Sequence, residues 1–161
     1  MAILVESIVL CMLFSIPLLI MSKNPIAGIH NYPPAIIEKA IELGLTDETH
    51  RLRSKKTIIK KLIAAVLVAI ICALIVYQVN GARSFKAGFA YTYLLWLIVD
   101  WYDAFVIDIL WFCHDKRFIL PGTEGMEAYK DYWFHIKGSM VGMLYGLPVA
   151  LVVGGIVALL T

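Results

Sequence analysis

Hydrophobic positions dominate this chain in long blocks rather than in short alternations. Three blocks are nearly free of charge: Ala2 to Met21, Leu62 to Val79 and Ile136 to Leu160. Crossing a hydrocarbon core of about 30 Å takes about 20 apolar residues, and each block meets or approaches that length. A fourth block, Gly88 to Phe112, is as long but carries Asp100, Asp103 and Asp108. The pattern predicts an all-α fold: a polytopic integral membrane protein with four transmembrane helices and short amphipathic interfacial helices. The expected spans are about 2–21, about 58–80, about 88–112 and about 137–160. Residues 22–57 and 113–136 are the long connections, and the whole chain 1–161 reads as a single membrane domain.

Breaks in the pattern place the ends of these elements. Pro33-Pro34 opens a short amphipathic helix in which Ile36, Ile37, Ala40, Ile41 and Leu43 oppose Glu38, Lys39 and Glu42. That helix suits a membrane surface or the side of the bundle. Gly44 is placed to stop it. Thr46-Asp47-Glu48 predicts a cap for the second long helix, which runs on to Asn80-Gly81. Pro17 is expected to bend the first helix. Pro121-Gly122 predicts a turn before a second interfacial stretch, Glu124 to Lys137, whose Tyr129, Tyr132, Trp133 and Phe134 suit a headgroup belt.

Composition agrees with this reading: 61% of the 161 residues are hydrophobic and 16% charged. That leaves too little polar surface for a soluble domain of this size. The net charge of +2 says less than its distribution. Eight Lys and Arg lie in or beside the first connection (Lys23 to Lys61), four in the third (Lys116 to Lys137) and two in the second (Arg83 and Lys86). Positive residues mark cytoplasmic loops, so the first and third connections are expected inside the cell and both termini outside, in the cell membrane. The first block lacks basic residues before it and a small-x-small cleavage site after it, and is expected to be retained. The basic run Arg51 to Lys61 suits anionic headgroups, and no nucleic-acid partner is implied. Cys11, Cys72 and Cys113 read as small apolar residues rather than a disulfide framework.

Two features point to chemistry or assembly. On a wheel of 100° per residue, the ionisable groups from Asp100 to Asp115 share an arc of about 140° on the third helix, flanked by Tyr93, Trp96 and Trp111. One Asp at a membrane midplane costs about 2.5–3.5 kcal/mol, and no Lys or Arg is expected at that depth. A proton-loaded or cation-loaded pair follows, with the aromatic faces contributing cation–π contact. Transporter-type binding of a proton, metal ion or amine at Asp100, Asp103 and Asp108 is the leading expectation. A metal-dependent enzyme acting on a lipid-linked or apolar substrate is the alternative, with Asp108, His114 and His135 as catalytic residues holding a divalent metal ion. His30 and His50 read as surface residues.

The second feature is a row of small residues on the fourth helix: Gly138, Gly142, Gly146, Ala150 and Gly154. It predicts close helix packing, against Ala65, Ala69 and Ala73 of the second helix or against a second copy of the fourth. A structural or accessory subunit, in a homo-oligomer or larger membrane complex within the lipid bilayer, is therefore a third expectation. The spacing DxxDxxxxD resembles a carboxylate motif of membrane prenyltransferases, without their preceding Asn or second motif. Small four-helix drug exporters and lipoprotein signal peptidases are similar in size and helix count, but differ in loops and motifs. None of these resemblances assigns a family.

Overall fold

Helices account for all the regular structure among the described residues. The computed structural model describes residues 2–47, 66 and 69–161. Glu48 of the expected Thr46-Asp47-Glu48 cap, His50, the basic run Arg51 to Lys61, Ala65 and the start of the second long helix lie outside the described residues. Helix α1 spans Ala2–Met21 with Pro17 inside it, and α2 spans Pro34–Glu42. The described part of the second long helix, α3, covers Ala69–Gln78. Helix α4 spans Phe85–Tyr102 and passes without a break into a π-helix, Asp103–Phe112. Helix α5 spans Tyr132–Leu159. Short 3-10 helices occupy Pro25–Asn31, Lys116–Phe118 and Glu127–Lys130.

Local chemistry sets most of these limits. Ser84 caps α4 by accepting from the Ala87 N–H, and Asp131 caps α5 by accepting from the Phe134 N–H at 3.0 Å. Each satisfies one of the orphan donors of a helix start. The Asp131 cap starts the last helix at Tyr132, several residues before the apolar block that marks it in the sequence. Gly44 and Gly81 both have φ of +68°, which glycine adopts without a Cβ clash, and each ends its helix where the sequence places the stop.

Two of these helices are long and apolar enough to cross a membrane, α1 and α5. Their outward faces are bare of cover: Leu4 and Met12 are 65% exposed and Leu144 is 64% exposed. The α4–π helix has the length, but its aspartates lower its apolar character.

The helices meet in two cores. In one, Ala69, Ala73 and Val76 of α3 lie against Val153 and Val157 of α5, so the second and fourth helices touch as their small residues predict. The glycine row itself faces another partner. A side chain at Gly142 would collide with the Asp100 carboxylate, one at Gly146 with the Trp96 ring, and one at Gly154 with Phe85. The row is thus the seat of α4 within the same chain, not of α3, because α4 brings the bulky groups that a glycine groove admits. At the same end of the bundle as this core, the Asn80 amide donates to both carboxylate oxygens of Glu6, at 3.1 and 2.9 Å, and partners the one acid of α1.

The other core lies at the end expected to be cytoplasmic. Ile29, Tyr32, Ile36 and Ala40 of the first connection bury against Phe112, Phe118, Leu120 and Tyr129. The two connections form one cap under the bundle, and α2 turns Ile36 and Ala40 into it. Tyr129 is 6% exposed, so it is not part of a headgroup belt. Its hydroxyl accepts from the Leu120 N–H at 2.8 Å and meets the Thr123 hydroxyl at 2.5 Å. These bonds satisfy a buried turn, which favours burial over the interface. Tyr32 donates to the Phe118 carbonyl at 2.8 Å. Burial, helped by Tyr129, pushes its hydroxyl above the usual tyrosine range and keeps it a donor.

Candidate functional site

A cavity of about 700 Å³ opens between the cap and the helices. Three long elements wall it. Helix α1 contributes Phe14, Pro17, Leu18 and Met21, the α4–π helix contributes Asp100, Asp103, Ile107, Asp108 and Phe112, and α5 contributes Phe134, His135, Gly138 and Ser139. His30 and Asn31 of the cap complete the wall on one side. All three sequence-predicted aspartates therefore reach one space.

The π winding explains how. The Cys113 N–H reaches the Asp108 carbonyl, five residues back, at 2.9 Å. With roughly 4.4 residues per turn, positions five apart are offset by about 50°, where an α-helix would put them about 140° apart. Asp103 and Asp108 therefore turn to one side. π-helices are rare and concentrate at functional sites, and this one spans ten residues rather than a single turn.

Across the cavity, α5 answers the acids. The His135 Nδ1 and Asp108 Oδ2 lie 2.9 Å apart, with side-chain exposures of 4% and 28%. Phe112 and Phe134 set edges against the His135 ring, with centroids at 5.5 and 5.1 Å. The ring thus packs against two aromatic rings and is oriented by a carboxylate. Its Nε2 is buried with no hydrogen-bond partner, as is Asp100 Oδ2. Ser139 donates to the Asp100 backbone carbonyl at 3.1 Å, which fixes α4 to α5 beside the carboxylate.

Among the described residues, no Lys or Arg forms a salt bridge with Asp100, Asp103 or Asp108. Lys137 lines the cavity, yet its ammonium lies 5.5 Å from the ring centre of Trp133, which is exposed. Tyr145, which could have supplied polar help at this depth, is 66% exposed.

Several expected participants are placed elsewhere. Trp96 donates to the Gly142 carbonyl at 3.0 Å, and the Tyr93 hydroxyl lies 3.5 Å from the Met143 carbonyl. Both hold α4 on α5 and neither lines the cavity. Trp111 donates to Asp115 at 2.9 Å. The aromatic cage drawn from an ideal wheel does not form, because the glycine groove takes Trp96 and the π segment turns Trp111 away. His114 is also separate from Asp108 and His135. Its Nδ1 pairs with the Ile109 carbonyl at 2.8 Å, and its Nε2 faces the Tyr132 hydroxyl at 3.2 Å. The trio Asp108, His114 and His135 is therefore reduced to a pair, and no group of three His, Cys, Asp or Glu close enough to hold a metal ion exists among the described residues.

Sequence reasoning missed the contribution of α1. Pro17 interrupts an otherwise uniform apolar run and was its one legible mark. It also missed Ser139 and Asn31, which carry no motif.

Outside the cavity, Asp115 receives the Arg117 guanidinium, with Nη2 at 2.5 Å, and the Arg117 backbone N–H at 2.9 Å. The hydrogen bonds from Arg117 hold its carboxyl well below the usual carboxylate range. A carboxyl depressed on folding stabilises the fold above its unfolded value, about 3.9, and that contribution is lost as pH falls toward the folded value. We expect Asp115→Asn to be less stable than the unaltered chain at pH 6, and the gap to shrink steadily as pH falls below about 4, measured by thermal unfolding. The exposure of Arg117 makes the difference small.

Comparison with protein-family models, with curated proteins and with solved structures finds no match to this chain.

Proposed function

We propose that this chain is a four-span membrane protein that takes an organic cation into the cavity between its cap and its helices, in the manner of a transporter. The observation that carries the proposal is the cavity itself: Asp100, Asp103 and Asp108 face about 700 Å³, and among the described residues His135 pairs with Asp108 while no Lys or Arg pairs with any of the three. Uncompensated carboxylates in a low-dielectric space favour any cation that can reach them. The size suits a small organic molecule, for which pockets of about 300–1,000 Å³ are usual. Apolar walls from Phe14, Leu18, Ile107 and Phe134 suit an alkyl or aryl body.

The membrane reading draws on the bare faces of α1 and α5. Contiguous exposed apolar surface beyond a few hundred Å² is rare on soluble monomers. The α4–π helix then spans as a third crossing with its acids turned inward, and α3 belongs to the remaining one. The charge distribution puts the cap in the cytoplasm and both ends outside. A cysteine appended after Thr161 is expected to react with impermeant reagent from outside.

Purified protein in lipid nanodiscs is expected to bind hexylamine, a monocation at neutral pH, and not hexanol, which has the same alkyl body. Equal binding of the two, or no binding of hexylamine, would overturn the cation reading. The metal-enzyme reading has less support, since His114 is engaged elsewhere.

A further inference from the structure

We infer that the cavity holds the headgroup of an aminophospholipid that enters sideways from the leaflet on the cap side, with its primary ammonium at Asp100 and Asp103 and its phosphate at Lys137. The inference rests on the cation reading of the cavity and adds the class of ligand. Its basis is a mouth on the lipid-facing surface and charges of both signs in one space.

The mouth sets the kind of molecule that enters. Phe14 of α1 and Val141 of α5 both line the cavity, and both are about half-exposed on the bare outward faces of their helices. A cavity edged by such residues opens toward hydrocarbon, so its ligand keeps an apolar part in the bilayer. Trp133, Lys137 and Val141 stand four residues apart and form one exposed stripe on α5. Trp and Lys near a helix end mark the headgroup level of a membrane. The mouth thus runs from the headgroup level into hydrocarbon, which is the path of a phospholipid.

The charges fix the polar end. Asp108 is already paired with His135, which leaves Asp100 and Asp103 as the acids open to a ligand. Asp100 Oδ2 is buried and accepts no hydrogen bond. A primary ammonium brings N–H donors to such an acceptor, whereas a quaternary ammonium has none. Lys137 is the one Lys or Arg among the described lining residues, and it makes no salt bridge among the described residues. Its ammonium rests near the Trp133 ring, where it can meet a phosphate as a point charge. The Ser139 hydroxyl bonds the Asp100 carbonyl and sets that residue level with Ser139, two residues from Lys137 along α5. Two residues are about 3 Å of helix rise, so one short headgroup can reach both charges. A simple cation would satisfy the acids and leave Lys137 repelled; a headgroup with an amine and a phosphate satisfies both.

The test is competition in nanodiscs of two compositions with equal headgroup charge, phosphatidylcholine alone and an equimolar mixture with phosphatidylethanolamine. Hexylamine titrated calorimetrically into the full chain should bind at least about tenfold more weakly in the mixed discs, because the lipid amine already holds the site. Lys137→Gln should bind hexylamine equally in both compositions while melting as the unaltered protein does, and Lys137→Arg, which keeps the charge, should keep the difference. Equal affinity of the unaltered protein in the two compositions overturns the inference and leaves the cation reading standing. Absence of hexylamine binding in both overturns the two together. A difference that persists in folded Lys137→Gln overturns the phosphate site. Soluble phosphoethanolamine, added to phosphatidylcholine discs at the same total concentration, should compete far less than the lipid; equal competition would assign the site to a free headgroup and overturn the lipid source.

Discussion

Asp103→Asn should abolish cation binding while leaving the protein inserted and folded. Removing one partner of a desolvated charge interaction costs about 2–5 kcal/mol, or about thirtyfold to several thousandfold in affinity. Asp100→Asn should act in the same direction, since its Oδ2 is buried and unpaired. Stability should move the other way. Each Asn removes a charge that costs about 2.5–3.5 kcal/mol at a membrane midplane, and no salt bridge is lost with it. The measurement is thermal unfolding with and without hexylamine. The unaltered protein should gain melting temperature on adding the amine, by the mass-action stabilisation that any native-state ligand confers. Both variants should start at an equal or higher temperature and gain nothing. A variant that keeps the ligand response and only melts earlier would make the aspartates structural.

The second large effect separates two glycines one helical turn apart. At Gly142 a side chain would collide with the Asp100 carboxylate, so Gly142→Leu must push α4 from α5. Overpacking of this kind costs about 1–3 kcal/mol, and it also displaces Asp100 from the cavity. Gly138 has nothing within 4 Å of where a Cβ would stand, and it lines the cavity. Gly138→Leu should therefore fold normally, and replacing a helical glycine can even add about 0.5–1 kcal/mol of stability. It should nonetheless block hexylamine binding by filling the space. Loss of binding in both, with loss of stability in Gly142→Leu alone, is the expected pair of results. Unchanged stability in Gly142→Leu would contradict the seating of Asp100 in the glycine groove.

These contrasts also show which parts of the molecule could be read from the chain. Block lengths and breaker residues placed the helices, and Gly44 and Gly81 stop them where expected because only glycine takes a φ of +68° without strain. The acidic face was legible because aspartate has no cheap place in an apolar run. The winding of that face was not. A wheel of fixed pitch assumes i→i−4 bonds throughout, and nothing in Asp103–Phe112 announces the wider coil that turns Asp103 and Asp108 together. Aromatic residues misled for a related reason. Tyr129 looks like an interfacial anchor by type, yet a buried turn needed its hydroxyl, and Trp96 looks like a cage wall, yet Gly146 offers it a slot. The meeting of His135 with Asp108 joins residues 27 positions apart and depends on where α5 starts, which the single residue Asp131 decides.

Charge selectivity of the cavity is open to direct measurement without knowing the natural ligand. Gly138→Cys places a thiol on its wall, in a background where Cys11 and Cys72 are replaced by Ala and Cys113 stays buried. Its reaction rates with a positively charged and a negatively charged methanethiosulfonate reagent of similar size can then be compared. A cavity governed by Asp100, Asp103 and Asp108 should take the cationic reagent at least about tenfold faster, consistent with electrostatic focusing in a low-dielectric cleft. The preference should collapse when Asp100 and Asp103 are both changed to Asn. Equal rates in the unaltered cavity, or a faster anionic reagent, would contradict a cation-selective site.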